Sequence, residues 1–132
     1  MTILALDYGT KRIGVAVSDA SETLAFPKEV VENRGNANLI ESVKALCAAE
    51  RARMIVLGHS RDSKGKDNPV MNDIHSFKSE LEAAVALPVL FQEESWSSAE
   101  ASRYQGNIVN LDASAAAIIL QRFLDKLRGQ NP

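Results

Sequence analysis

Three acidic positions, Asp7, Glu94 (with Glu93 beside it) and Asp112, stand where strand-like or helix-like runs of the chain end or begin. Carboxylates that converge without a balancing base make a hard-oxygen site of the kind Mg²⁺ or Mn²⁺ prefers. Two such ions about 4 Å apart can hold the attacking water and the leaving oxygen of a phosphodiester in line. They would also neutralise a pocket that otherwise repels a polyanion. Each residue has a plainer reading. Asp7 before Tyr8-Gly9-Thr10 suits a turn residue that bonds its own backbone. Asp112 suits a helix N-cap, and Glu93-Glu94 suit solvated loop charges. Spacing alone does not separate the two readings.

Cations lie near these acids in the chain. Lys11 and Arg12 follow Asp7 in a turn, where they could meet phosphates, and Arg61, Lys64 and Lys66 occupy a polar loop. From Arg51 to Lys66 there are five basic residues and one acidic. That local excess could attract a nucleic acid, with an affinity that falls steeply with salt, or could be a solvated loop beside helix-end cations at Arg51 and Arg53. His59 could position water, but a lone strand-end histidine is more often hydrogen-bonded in place. His75 is expected on the exposed side of its helix. Trp96 and Tyr104 could stack on bases, although a tryptophan beside a helix cap commonly packs as a staple. Gly58-x₆-Gly65-Lys66-Asp67 lacks both the spacing and the hydroxyl residue of a phosphate loop.

The elements that must carry these residues follow from periodicity. Thr2–Asp7 and Arg12–Ser18 are apolar, β-branched runs closed by Tyr8-Gly9-Thr10-Lys11, and they predict a hairpin with Gly9 free to take positive φ. A third strand falls within Leu24–Val31, at an edge because of Pro27. Leu39, Ile40, Val43, Leu46 and Cys47 recur at helical steps over Asn36 to about Arg51. Met54–Leu57, ended by Gly58, predicts a buried parallel strand. Pro69 opens a second helix whose stripe is Val70, Ile74, Phe77, Leu81, Ala84 and Val85. Pro88–Phe91 is the fifth strand. Ser97–Glu100 has capping-box spacing for a short helix broken at Gly106. A last helix begins at Asp112 and faces the core with Ala116, Ile119, Leu120, Phe123 and Leu127. The order β-β-β-α-β-α-β-α-α describes an α/β chain: an antiparallel meander, then strands added through helical crossovers.

Length and composition bound the rest. At 132 residues, 45% apolar and 24% charged, the chain fits one globular domain over residues 1–132. A net charge of −2 excludes a whole-surface basic field, so any nucleic-acid contact needs a local patch. One cysteine, Cys47, and two histidines exclude a disulfide framework and a Cys/His zinc site. Cys47 belongs to a helix stripe and is assigned no chemistry. No leader-like opening or membrane-length apolar run is visible, and a cytoplasmic location is expected.

Leu4-Ala-Leu-Asp-Tyr-Gly-Thr-Lys-Arg-Ile-Gly-Val-Ala-Val-Ser-Asp19 closely resembles the opening motif of the YqgF-type, RuvX-like family of pre-16S rRNA nucleases, also described as Holliday-junction-resolvase-like. Leu111-Asp-Ala-Ser-Ala-Ala-Ala-Ile-Ile-Leu-Gln121 resembles that family's C-terminal acidic helix. Ile55-Val-Leu-Gly58 and the Phe77–Leu81 helix fall where the family has a further strand-loop-helix motif. The resemblance implies an RNase H-like fold, with a mixed five-stranded sheet flanked by helices, and phosphodiester hydrolysis dependent on Mg²⁺ or Mn²⁺. By position the family's first acid is Asp7, its last is Asp112, and its middle glutamate is Glu94, with Glu93 in place of a preceding aspartate. Departures are Ser95 for an arginine, Gly58-His59-Ser60 for Gly-Leu-Pro, and a short stretch before Asp112 in which Arg103 is the only base. The implied role is processing of the pre-16S rRNA 5′ end in ribosome biogenesis, on nucleic acid that is RNA rather than DNA, by a monomer or homodimer with no membrane association. Alternatives are a DNA-junction resolvase and a non-catalytic nucleic-acid-binding or adaptor domain. Asp7-Tyr8-Gly9 also resembles the first phosphate hairpin of actin- or sugar-kinase-like proteins. No second Asp-x-Gly accompanies it, and two lobes do not fit the length.

Overall fold

A strand that is apolar on both faces must be covered on both, and β1 (Thr2–Asp7) is such a strand. Ile3, Leu4, Ala5 and Leu6 are all fully buried. In the computed structural model, which describes residues 1–9, 11–60, 70–94 and 111–129, β1 is accordingly the central strand of five. Side chains at 59, 60, 70–73, 93, 94, 111 and 112 fall outside that description. The remaining elements are β2 (Arg12–Ser18), β3 (Ala25–Glu32), α1 (Asn36–Glu50), β4 (Ala52–Ser60), α2 (Val70–Val85), β5 (Val89–Glu94) and α3 (Leu111–Leu127). The sheet order is β3-β2-β1-β4-β5. β1 pairs antiparallel with β2 and parallel with β4, β2 antiparallel with β3, and β4 parallel with β5. This is the meander followed by crossovers that the element order predicts. The segment expected to form a short helix at 97–106 lies outside the described residues.

Alternation along the strands sorts the core into two layers. Leu4 and Leu6 join Ile13, Val15, Ile55, Leu57 and Val89 beneath α1 and α2, where Leu39, Val43, Ile74, Phe77 and Leu81 close the layer. Ile3, Ala5, Ala16 and Val56 face the other way, against Ala116, Ile119, Leu120 and Leu124 of α3. Ala84, expected in the α2 stripe, is exposed. In α3 the stripe closes at Leu124, and Leu127 stays 46% exposed. Cys47 is buried, which pushes its thiol pKa up. No helix among the described residues is long and apolar enough to cross a membrane.

β4 and β5 extend beyond their apolar runs. β4 continues through Gly58 to Ser60, and β5 continues three residues past Phe91, because Gly58, His59 and Ser60 pair with Gln92, Glu93 and Glu94. Ladder hydrogen bonds form between backbones whatever the side chains, so the acids expected in a loop after the fifth strand belong to the strand itself. At the opposite margin β3 is an edge strand with Pro27 in it, and its register with β2 shifts at Val15/Ala16.

The amino-terminal end of β1 is braced by polar contacts. The Ser18 hydroxyl accepts from the Ile3 amide at 2.9 Å and donates to the Asp19 carbonyl. Asp19 Oδ1 accepts from the amides of Thr23 and Leu24, at 2.8 and 3.1 Å. Arg53 grips Glu22 through two nitrogens at 2.6 and 2.7 Å. Gln121 of α3 accepts from the Ala25 amide and donates to the Thr23 carbonyl, both at 2.9 Å. The Thr23 and Leu24 amides hold the Asp19 carboxyl below its ordinary pKa, and Arg53 does the same for Glu22. A carboxyl whose folded pKa is depressed stabilises the fold above its unfolded pKa and loses that contribution as pH falls through the folded value. The urea midpoint should therefore drop on acidification below about pH 4. In Asp19→Asn that acid dependence should be shallower.

Candidate functional site at the carboxyl end of the sheet

β1, β4 and β5 are parallel, so their carboxyl ends share one edge, and β1 is where the sheet changes from parallel to antiparallel neighbours. Open α/β sheets bind ligands outside the carboxyl ends at such a point. Asp7 is the last residue of β1; it pairs with Gly58, and Gly58 pairs with Gln92. Laterally paired residues share a face, so Asp7, Gly58 and Gln92 lie on the α3 side, the side of Ile3, Ala5 and Val56. Glu94 comes two residues after Gln92 and has its parity, whereas Glu93 has the parity of Phe91, on the side of α1 and α2. By strand spacing, positions 7 and 94 are separated by about 10 Å across two strands and about 7 Å along them.

Gly58 decides how closely α3 approaches. A Cβ at this position would lie 2.8 and 2.9 Å from Ile119 Cδ1 and Cγ2, and 3.1 Å from the Gln92 carbonyl oxygen. Only glycine lets Ile119 settle against the sheet here. Gln121, just beyond Ile119, reaches the start of β3 at the other end of the sheet, so α3 runs from the carboxyl ends of β1, β4 and β5 toward that start. Asp112, its second residue, precedes Ile119 by two helical turns, about 10 Å, on the stripe of Ala116 and Ile119. The backbone thus brings positions 7, 94 and 112 to one end of the molecule. Asp7 is half-buried.

The turn after Asp7 carries the first pair of cations. Lys11 and Arg12 are both exposed, and Arg12 opens β2 opposite Glu32. Gly9 is required for a different reason from the one expected. Its φ is not positive; a Cβ would instead lie 2.6 Å from the Arg12 carbonyl oxygen. Arg61, Lys64 and Lys66 lie outside the described residues, as do Ser95, Trp96, Arg103 and Tyr104, and the His59 side chain is likewise not described. Arg51 and Arg53 stand at the amino end of β4, away from Asp7. Of the five cations of 51–66, these two are the ones described, and both stand at the end of the sheet opposite Asp7. Arg51 closes α1 with a left-handed backbone, its amide donating to the Ala48 and Cys47 carbonyls, and Arg53 serves Glu22. His75 is exposed and sets its ring edge-on to Phe91, with centroids 5.1 Å apart.

Gln92 was passed over in the sequence. Only 6% exposed, it is a buried amide on the face of Asp7. The signal available was its place, directly after the apolar run Val89-Leu90-Phe91 and before the two acids. Oxygen donors from carboxylates, with an amide oxygen nearby, suit Mg²⁺ or Mn²⁺ better than a soft metal. Among the described residues no three His, Cys, Asp or Glu side chains form a metal-sized cluster; of the three acids, Asp7 is the one whose side chain is described.

A five-stranded sheet in this order, with an antiparallel meander and parallel strands, is an RNase H-like architecture of the kind found in resolvases. The structure of Thermus thermophilus RuvC in complex with a Holliday junction substrate aligns with a TM-score of 0.60 over 98% of this chain and 96% of that one, at 12% identity. The RuvX family model, described as Holliday junction resolvase, matches residues 1–126. A Bordetella avium protein named "Putative pre-16S rRNA nuclease" is 35% identical over 126 residues, covering 96% of each chain. A Paraburkholderia xenovorans protein of the same name is 37% identical over 130 residues, covering 96% of this chain and 89% of the relative. The chain belongs to the RuvX family, a family of nucleases, and so to the phosphodiester hydrolases. The Gly58 contact itself is testable. Gly58→Ala should overpack against Ile119 and the Gln92 backbone and lower the unfolding free energy by about 1–3 kcal/mol, measured by urea titration.

Proposed function

We propose that the chain is a divalent-metal-dependent nuclease acting on structured RNA, with the 5′ end of pre-16S rRNA as its substrate class, and that Asp7, Glu94 and Asp112 hold the metal. The observation that carries this reading is the shared edge. Asp7 and Glu94 have the same parity on parallel strands, and α3 begins over that edge because Gly58 admits Ile119. When bound there, Mg²⁺ or Mn²⁺ supplies Lewis acidity to a phosphoryl oxygen and lowers the pKa of water.

The protein's own part is positional. Asp7, whose backbone is fixed at the end of the central strand, offers its oxygens at that edge. Glu94 reaches from the next strand but one, and Asp112 comes down from the first turn of α3. Together they keep water and phosphate in line: the water oxygen bonds to phosphorus and gives up a proton to solvent, the bond to the departing ribose oxygen breaks, and that oxygen takes up one proton from solvent. Lys11 and Arg12 hold the neighbouring phosphates, and Arg61 and Lys64 extend that contact. RNA is favoured over DNA by the names of the relatives, and such a substrate places the protein in the cytoplasm.

Purified protein should cleave a structured RNA spanning the 5′ end of pre-16S rRNA in Mn²⁺ or Mg²⁺ and lose that activity in a chelator. Asp7→Asn and Glu94→Gln should each lower the rate by more than about a hundredfold, beyond the effect of a residue that only supports a ligand. Glu93→Gln should leave the rate close to wild type. Equal cleavage by wild type and Asp7→Asn would refute the proposal, and faster cleavage of a four-way DNA junction would reassign the substrate.

A further inference from the structure

The connection between β3 and α1, Glu32-Asn33-Arg34-Gly35, was not singled out by any motif, yet it is bonded to the turn that follows Asp7. The Asn33 side-chain amide donates to the Gly9 carbonyl at 2.9 Å, and the Asn33 backbone amide donates to the Lys11 carbonyl at 2.9 Å. Asn33 Oδ1 in turn accepts from the Gly35 amide at 3.1 Å. One side chain therefore locks two connections into a single rim, two residues beyond Asp7. On that rim Arg34 stands beside Lys11 and Arg12, and its side chain is 72% exposed.

Among the described residues, the carboxylates near this rim include Asp7 itself, Glu32, which accepts from Arg34 Nε at 3.0 Å, and Glu80, which accepts from the Asn36 side-chain amide at 2.7 Å. Glu32 is itself 70% exposed, and an ion pair this open to water is weak. Phosphate can displace it, because a guanidinium presents a planar fork that matches two phosphate oxygens. In a chain of net charge −2, three cations held together by backbone hydrogen bonds are a local feature that a polyanion would read.

We infer that the β3–α1 connection is part of the nucleic-acid interface, with Arg34 contacting a backbone phosphate on the Asp7 side of the molecule and Asn33 holding it in place. The inference rests on the nuclease reading above and deepens it by naming a contact. Arg34 is a binding residue and takes no part in bond cleavage.

The test uses the full chain and a fluorescein-labelled RNA hairpin, with anisotropy read across a salt series in an Asp7→Asn background with Mg²⁺. Arg34→Ala should weaken binding about fivefold to tenfold near 0.1 M salt and reduce the slope of log K against log salt by about one, the signature of one lost phosphate contact. Arg34→Lys should restore the slope. Glu32→Gln, which frees the guanidinium, should tighten binding. In the chain with Asp7 intact, Arg34→Ala should raise KM and leave kcat unchanged. Its thermal midpoint should also be unchanged, since the side chain is exposed. If Arg34→Ala keeps both the affinity and the salt slope of a chain that binds and cleaves the hairpin, this inference falls and the nuclease reading stands. If the native chain neither binds nor cleaves the hairpin, the nuclease reading falls and takes the inference with it.

Discussion

A methyl group at position 58 would sit 2.8 Å from Ile119 Cδ1 and 3.1 Å from the Gln92 carbonyl. The close seating of α3 on the sheet depends on its absence. Among the described residues α3 alone covers that face, packing its alanine-rich stripe over β1 and β2. Small residues on the helix and no side chain on β4 bring two backbones together, and the same contact sets how far the first turn of α3 stands from the end of β1. One packing constraint thus serves both the stability of a layer and the distance between two candidate ligands.

The opening motif serves both ends of the sheet with different chemistry. Asp7 closes β1 at the candidate site. Ser18 and Asp19, from the same motif, sit beside the start of β1, where the Ser18 hydroxyl takes the Ile3 amide and the Asp19 carboxylate takes two loop amides. Apart from the Ser21 hydroxyl on Asp19, their contacts are with the backbone, and they brace the start of β1 and so the place of Asp7. A motif this specific therefore mixes residues that meet substrate with residues that aim them. Arg53 belongs with the second group, since its guanidinium is engaged by Glu22.

The legible parts of the fold were those with a hydrophobic period. β1 and β2 emerge at their observed bounds because buried strands flank a glycine turn, and α1 emerges because Leu39, Ile40, Val43 and Cys47 trace one stripe. The carboxyl ends of β4 and β5 were not legible, since Gly58 to Ser60 and Gln92 to Glu94 are strand only by virtue of each other's backbones. The positions of the candidate acids were visible as element ends, but their common edge depends on strand order, which spacing does not encode. What Gly58 does depends on Ile119, and what Asn33 does depends on Gly9 and Lys11. Neither pairing leaves a local trace. Gly9 shows the converse case, a residue rightly marked as special for a reason that only the Arg12 carbonyl supplies.

The β3 margin limits what this molecule can join. Pro27 offers no amide for a new ladder, Lys28 places a charge on the strand, and the register shift at Val15/Ala16 breaks the regularity that an incoming strand would match. Polymerisation through this margin is thereby discouraged even when the protein is concentrated. A pair of copies working on a two-fold-symmetric substrate would gain little by extending the sheet at this strand.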